Sequence, residues 1–410
     1  MSNIKGWESR LLKDIVNINM GQSPSSSDCN EEGIGIPFFQ GCTEFGVKYP
    51  TVRKYCSVPK KIATLGDILI SVRAPVGDVN IADRKCAIGR GLAAITPSDK
   101  VNLDFLYNYL IYYKLKWVNV KQGSTFESIN KNDLCEVEVP LPPLKEQQKI
   151  AEILSSVDAA IEKTEQVIAK TKEVKKGLMQ QLLTKGIGHT EFKQTKFGEI
   201  PVQWQVKKLA DLGEALIGLT YSSDNITDES GTLVLRSSNI RGNRLSFDNN
   251  VYVDLDIPKR CIVQKDDILI CVRNGSKALI GKSALIDNET VGCSFGAFMS
   301  VYRSEYNRYI FQLFNTELFK KQIYSNLGAT INQITSANLK SFKFPIPPKE
   351  EQDKIVEILE SYDSRVKIEE DKIKNLNLIK QGLMQQLLTG KTRVKEATMC
   401  SFLKELGYCE

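Results

Sequence analysis

A gapless internal repeat constrains this chain more than any other feature. Residues 140–184 align on residues 345–389 at a constant shift of 205 positions, with 23 of the 45 identical. The first copy carries Pro142-Pro143, Glu146-Gln147, Lys149-Ile150, Glu152-Ile153-Leu154 and Asp158, and the second carries Pro347-Pro348, Glu351-Gln352, Lys354-Ile355, Glu357-Ile358-Leu359 and Asp363. Both close on Gly-Leu-Met-Gln-Gln-Leu-Leu-Thr. Ile150, Leu154, Val157, Ile161, Ile168, Leu178 and Leu182 fall on the first and fourth positions of a heptad, as do Ile355, Leu359, Tyr362, Val366, Ile373, Leu376, Leu383 and Leu387. That pattern predicts coiled-coil helices, each starting after a double proline. Each spans about 38 residues, or roughly 57 Å. The alternative is that each helix packs only on its own domain. Thr164, Thr171 and Lys175 interrupt one seam, and Glu369 and Lys380 the other; such interruptions lower stability while fixing register. Gly177 and Gly382 each cost about 1 kcal/mol relative to alanine inside a helix. They imply a bend, or close approach of the opposite helix or a partner protein.

With 410 residues the chain has room for two domains. No apolar run approaches a membrane span and no signal-like amino terminus is seen, so a cytoplasmic location is expected. The ten cysteines contain no Cys-x-x-Cys pair and have one histidine, His189, for company, which argues for buried reduced thiols over zinc. A net charge of +6 tilts towards a polyanionic partner without requiring one.

The segments ahead of the helices also repeat, more loosely. Trp7 and Trp204 open them, and Gly66–Arg73 and Asp266–Arg273 read as strands ending on an arginine. One helix is expected in each, Leu103–Trp117 and Arg308–Tyr324, followed by a glycine turn into a strand at Gln122–Ile129 and Leu327–Ile334. The two copies differ most in their polar loops, Gly21–Gly46 and Thr220–Arg244, where recognition tends to reside. These loops hold residues able to make paired hydrogen bonds to base edges.

The layout resembles the specificity subunits of type I restriction-modification systems over nearly the whole chain. Arg73-Ala74-Pro75-Val76-Gly77, Ala87-Ile88-Gly89-Arg90-Gly91-Leu92, Gln122–Ile129, Val139–Leu144 with Glu146-Gln147, the linker Thr190–Trp204 and the closing Gly-Leu-Met-Gln-Gln-Leu-Leu carry the likeness. Asn274-Gly275-Ser276 departs from it. The resemblance implies an α+β chain with two α/β target-recognition domains, residues 1–143 and 204–348. They are joined by two long antiparallel coiled-coil helices, 144–185 and 349–390, in a pseudo-two-fold repeat, with a linker at 186–203 and a tail at 391–410. Each domain would read one half of an asymmetric bipartite site in double-stranded DNA, with the helices setting the spacer. The implied partners are two modification (methyltransferase) subunits and two restriction (motor-nuclease) subunits. S-adenosylmethionine, ATP and magnesium would reside on those partners and no cofactor on this chain. A methylation-only or combined system is the alternative.

The expected DNA contacts are Gln22, Ser23, Gln40, Arg73, Arg90, Lys121, Gln122 and Ser124 in the first domain. In the second they are Thr220, Tyr221, Arg236, Ser237, Asn239, Arg241, Arg273, Lys277 and Thr330. Helix pairing is expected from Ile150, Leu154, Ile161, Ile168, Leu178 and Leu182 with Ile355, Leu359, Val366, Ile373, Leu383 and Leu387. The chain carries no Asn/Asp-Pro-Pro-Tyr/Phe methylation motif and no His-Glu-x-x-His. Gly275-(x)5-Gly281-Lys282-Ser283 is one residue too long for a phosphate loop, and Pro97 cuts off the helix that Gly89-Arg90-Gly91 would need to open as a dinucleotide site. No catalysis is expected of this chain.

Overall fold

The strands Ile68–Ser71 and Ile268–Cys271 are buried at all four positions, because both their faces are covered. Ile68 and Ile70 enter one core and Leu69 another, and Ile268 and Ile270 part from Leu269 and Cys271 in the same way. A strand's two-residue period imposes that alternation. The computed structural model describes residues 6–119, 128–328 and 332–394. The chain divides into two compact units, residues 1–167 with 369–410, and residues 168–368.

In the first unit an antiparallel sheet runs in the order Val16–Met20, Leu92–Pro97, Ile68–Ser71, Val79–Ile81. A mixed sheet places Ile36–Phe39 parallel to Cys86–Ile88. The second unit repeats both devices: Glu214–Ile217, Met299–Arg303, Ile268–Cys271 and Ser283–Leu285 in one sheet, and Thr232–Leu235 parallel to Ser294–Phe295 in the other.

Helix Leu103–Asn119 matches its expected start and runs two residues further. The single helix expected at 308–324 is instead two, Asn307–Phe314 and Glu317–Asn326. The Thr316 hydroxyl accepts from Phe319 N and caps the second, giving its orphan amide a partner that helix continuation would not need. Of the segments expected to turn into strands, residues 122–127 and 329–331 lie outside the described residues; beyond them Ser128 and Gln333 make single bridges to Arg73 and Arg273. Short helices Lys131–Cys135 and Ser336–Ser341 follow, capped by Asn130 and Thr335.

The repeat forms helices of 42 and 39 residues, Leu144–Lys185 and Lys349–Leu387. The compact units cut across both. Each holds the first half of its own domain's helix and the last half of the other, paired antiparallel. In the first unit Ile150, Leu154 and Val157 share a core with Leu383, Met384 and Leu387. In the second, Leu178 and Leu182 share one with Ile355 and Leu359. The same helix ends also join the domain cores, so pairing and domain packing coexist. Val366 is buried and Ile161 partly so, whereas Ile168 and Ile373 are half-exposed.

Two of the seam's polar interruptions become cross-pairs between repeat copies. Lys175 Nζ lies 2.6 Å from Asp363 Oδ1 in the second unit, and Lys380 Nζ lies 2.5 Å from Asp158 Oδ1 in the first. Both lysines are mostly buried, so each needs its carboxylate partner, and the pairing fixes register. Thr164 and Thr171 are buried, with the Thr164 hydroxyl donating to Ala160 O at 2.8 Å.

A second duplicated contact closes each unit. Glu146 accepts from Trp7 Nε1 at 3.2 Å, from Arg393 Nε and Nη2 at 2.8 Å each, and from Val394 N at 3.2 Å. Glu351 accepts from Trp204 Nε1 at 2.9 Å and from Ile187 N at 2.9 Å, with His189 Nε2 at 2.8 Å. The neighbouring amides Gln147 and Gln352 donate back to Pro142 O and Pro347 O.

Of the eight described cysteines, Cys56, Cys86, Cys261 and Cys271 are buried while Cys29, Cys42, Cys135 and Cys293 are partly exposed. All eight are free thiols. Burial, and then nearby Asp67 and Asp83, push the Cys86 thiol up to about 12. No helix among the described residues is long and apolar enough to cross a membrane.

A Cβ at Gly177 would meet nothing within 4 Å, so neither the opposite helix nor any other described part of the chain packs there, contrary to one of the sequence expectations. Gly177→Ala is therefore expected to stabilise the isolated chain by about 0.5–1 kcal/mol through helix propensity. Thermal unfolding measures this, and a fall in melting temperature would contradict the open site.

Candidate functional site

Each unit builds one corner from three chain segments that meet where the two sheets adjoin. In the first unit Gly89 N donates to Phe39 O at 2.8 Å, Gly91 N to Gln40 O at 3.2 Å, and Gln22 N to Ile88 O at 3.1 Å. In the second, Gly296 N donates to Leu235 O at 3.0 Å and Leu219 N to Phe295 O at 2.7 Å. Glycine is required where the segments touch: a Cβ at Gly21 would lie 2.1 Å from Gly89 O, and one at Gly218 would lie 2.2 Å from Gly296 O.

These matched hydrogen bonds set the two corners in register. Ser23 corresponds to Thr220, Gln40 to Arg236, Arg90 to Ala297, and Gly91 to Phe298. Arg73 and Arg273 stand beside them, each on its single bridge and each exposed. Neither makes an ion pair with another described residue.

In the first corner Ser23 Oγ lies 3.1 Å from Gln40 Oε1 and 3.0 Å from its Nε2, and accepts from Arg90 N at 3.3 Å. Gln22, Gln40, Arg73 and Arg90 are exposed around it. In the second corner Arg236 Nη2 donates to Asn249 Oδ1 at 2.9 Å and to its carbonyl at 3.3 Å. The Arg273 guanidinium stacks on Phe298, 4.9 Å from the ring centre. Phe298 is 57% exposed, a large ring held at the surface by a cation. A cleft of about 540 Å³ opens here between Tyr221, Arg236, Ser238 and Phe298.

Two polar corners on a duplicated frame, each ringed by arginine and amide side chains, suit a polyanionic ligand with readable edges. Residues 4–173 and 201–378 each match the family described as the type I restriction modification DNA specificity domain. The chain belongs to this specificity family. It is 26% identical over 403 residues to the type I restriction enzyme MjaVIII specificity subunit of Methanocaldococcus jannaschii, covering 95% of this chain and 93% of that protein. The putative MjaX specificity subunit of the same organism is 48% identical over 168 residues, 41% of this chain and 40% of that protein. The crystal structure of a type I restriction-modification S subunit from M. genitalium shares the fold, with a TM-score of 0.56 at 17% identity, covering 95% and 97% of the two chains.

The specificity subunit's role is non-catalytic. Lys282, in the near-phosphate-loop run, donates to Ser237 O, and Ser283 begins a strand instead of a helix. No group of three or more metal-binding side chains occurs among the described residues.

The corners bring together Gln22, Ser23, Gln40, Arg73 and Arg90, and separately Thr220, Tyr221, Arg236, Ser237 and Arg273. Lys277 lies further out, 5.8 Å from the Tyr324 ring centre. Arg241 is bound to Asp248 at 2.5 Å in a short hairpin. Asn239 corrects the sequence reading: it is fully buried, and its amide receives Arg236 N and donates to Ser246 O and Asn250 Oδ1. It caps the turn beneath the loop and offers nothing to the surface. Lys121, Gln122, Ser124 and Thr330 lie outside the described residues. Phe298, Asn249 and Glu44 were not anticipated. Aligning Gly89-Arg90-Gly91 with Gly296-Ala297-Phe298 reveals the first; the other two carry no local signal.

Gly21→Ala and Gly218→Ala are each expected to destabilise the chain by about 1–3 kcal/mol, since the new methyl meets a backbone carbonyl. Thermal unfolding of the two variants tests this, and an unchanged melting temperature would show that the segments do not meet as closely as described.

Proposed function

We propose that this chain is the DNA sequence-recognition subunit of a type I restriction-modification complex, and that it binds an asymmetric bipartite duplex target, each unit reading one half-site. One observation carries the reading: the same corner recurs on the same scaffold with different side chains, Gln40 and Arg90 in one unit, Arg236 and Phe298 in the other. A symmetric frame would deliver two readers, and their differing chemistry would make the half-sites unlike.

The paired helices set the spacer and dock two modification (methyltransferase) subunits, their duplication offering two equivalent surfaces. Two restriction (motor-nuclease) subunits complete the cleaving complex. S-adenosylmethionine, ATP and magnesium belong to those partners, and the complex works in the cytoplasm, where its DNA is. Arg73 and Arg273 serve as phosphate contacts, giving affinity without sequence preference.

Methylome sequencing of a host carrying the intact system is expected to yield a split, non-palindromic motif; a continuous or palindromic one would refute the bipartite reading. Arg73→Ala in the assembled complex is expected to weaken binding to all sequences alike and to reduce the salt slope of log K by about 1. Titrations at several salt concentrations decide this, and an unchanged slope removes Arg73 from the contact surface.

A further inference from the structure

The two corners share a register but differ in the chemistry each presents at its matched position. We propose that Gln40 and Arg236 are the equivalent base-reading residues of the two half-sites, Gln40 selecting adenine and Arg236 selecting guanine. This rests on the DNA-reading function proposed above.

Both side chains leave the frame from the same point. Gln40 follows Phe39, whose carbonyl receives Gly89 N; Arg236 follows Leu235, whose carbonyl receives Gly296 N. Each packs against the glycine of that turn: a Cβ on Gly89 would lie 2.5 Å from Gln40 Oε1, and one on Gly296 would lie 3.9 Å from Arg236 Cγ. Each also lines a cleft, of about 420 Å³ in the first unit and about 540 Å³ in the second.

The walls of the clefts differ in sign. Glu44 lines the first, with its Oε2 buried and without a hydrogen-bond partner among the described residues; Glu31 and Lys54 also line it and offset one another. An acceptor-only carboxylate disfavours guanine, which turns two acceptors, N7 and O6, to the major groove. Adenine instead presents an amino donor, which an amide oxygen or a carboxylate can receive, beside an N7 that the amide NH₂ can reach. Ser23, touching both Gln40 amide atoms, holds that amide in place.

The second cleft has no carboxylate among its described lining residues. Asn249 holds Arg236 through Nη2, and no described residue takes up its Nη1. A guanidinium fixed on one side and unspent on the other is matched to the paired acceptors of guanine.

The test is selection from a randomised duplex library by the fully assembled complex, with the bound fraction sequenced. Wild type is expected to enrich adenine at a position in one half-site and guanine in the other. Gln40→Ala is expected to reduce the adenine preference about 5- to 150-fold at that position alone, and Arg236→Ala to do the same to the guanine. Glu44→Gln is expected to let guanine compete at the adenine position. Unaltered base preferences, or relaxation at some other base, overturn the assignment and leave the DNA-reading function standing. A wild-type complex that enriches no sequence overturns that function too. If either alanine variant fails to assemble, Ser23→Ala and Asn249→Ala, which free the same two side chains from outside, must relax the same positions, and the assignment falls if they do not.

Discussion

The duplicated glutamate, Glu146 in one unit and Glu351 in the other, is the contact on which the frame depends. Each is nearly buried, with 9% and 13% of its side chain exposed, and a charge so placed must be matched by donors. The donors come from two parts of the chain, the tryptophan that opens the domain and the segment just after the other long helix, while the glutamate itself sits in the first turn of the domain's own long helix. One carboxylate therefore ties a domain's beginning to both helices at once.

That arrangement explains why the compact units are not sequential. A helix of about 40 residues is too long to be buried by one domain of this size, and its exposed apolar stripe must find a second surface. Antiparallel pairing supplies it within each unit, and the Lys175–Asp363 and Lys380–Asp158 pairs make any shifted register costly, because a shift would strand a mostly buried lysine. The frame is duplicated down to single ion pairs.

Against that frame the corners diverge freely. Their backbone is held by glycine contacts and main-chain hydrogen bonds, which place no demand on side-chain identity at Gln40 or Arg236. Substitution there leaves the scaffold unstrained, so unlike chemistry can occupy equivalent positions. The second unit spends its arginines differently from the first, stacking Arg273 on Phe298 where the first has Gly91 and no ring.

The sequence by itself determined the long helices, their seam, the twin domains and the buried central strands, because periodicity and repetition are local properties of the text. It also placed most corner residues on the correct loops, since polar segments on a repeated scaffold stand out. It misplaced Asn239, whose amide looks identical whether it caps a turn or faces solvent, and it ran two helices together across Asn315-Thr316. Only the tertiary structure decided which loop residues share a corner, that Lys175 and Lys380 meet the aspartate of the opposite copy, and that Gln40 and Arg236 occupy the same place. Those facts depend on contacts between segments tens to hundreds of residues apart, and no local pattern encodes such distances.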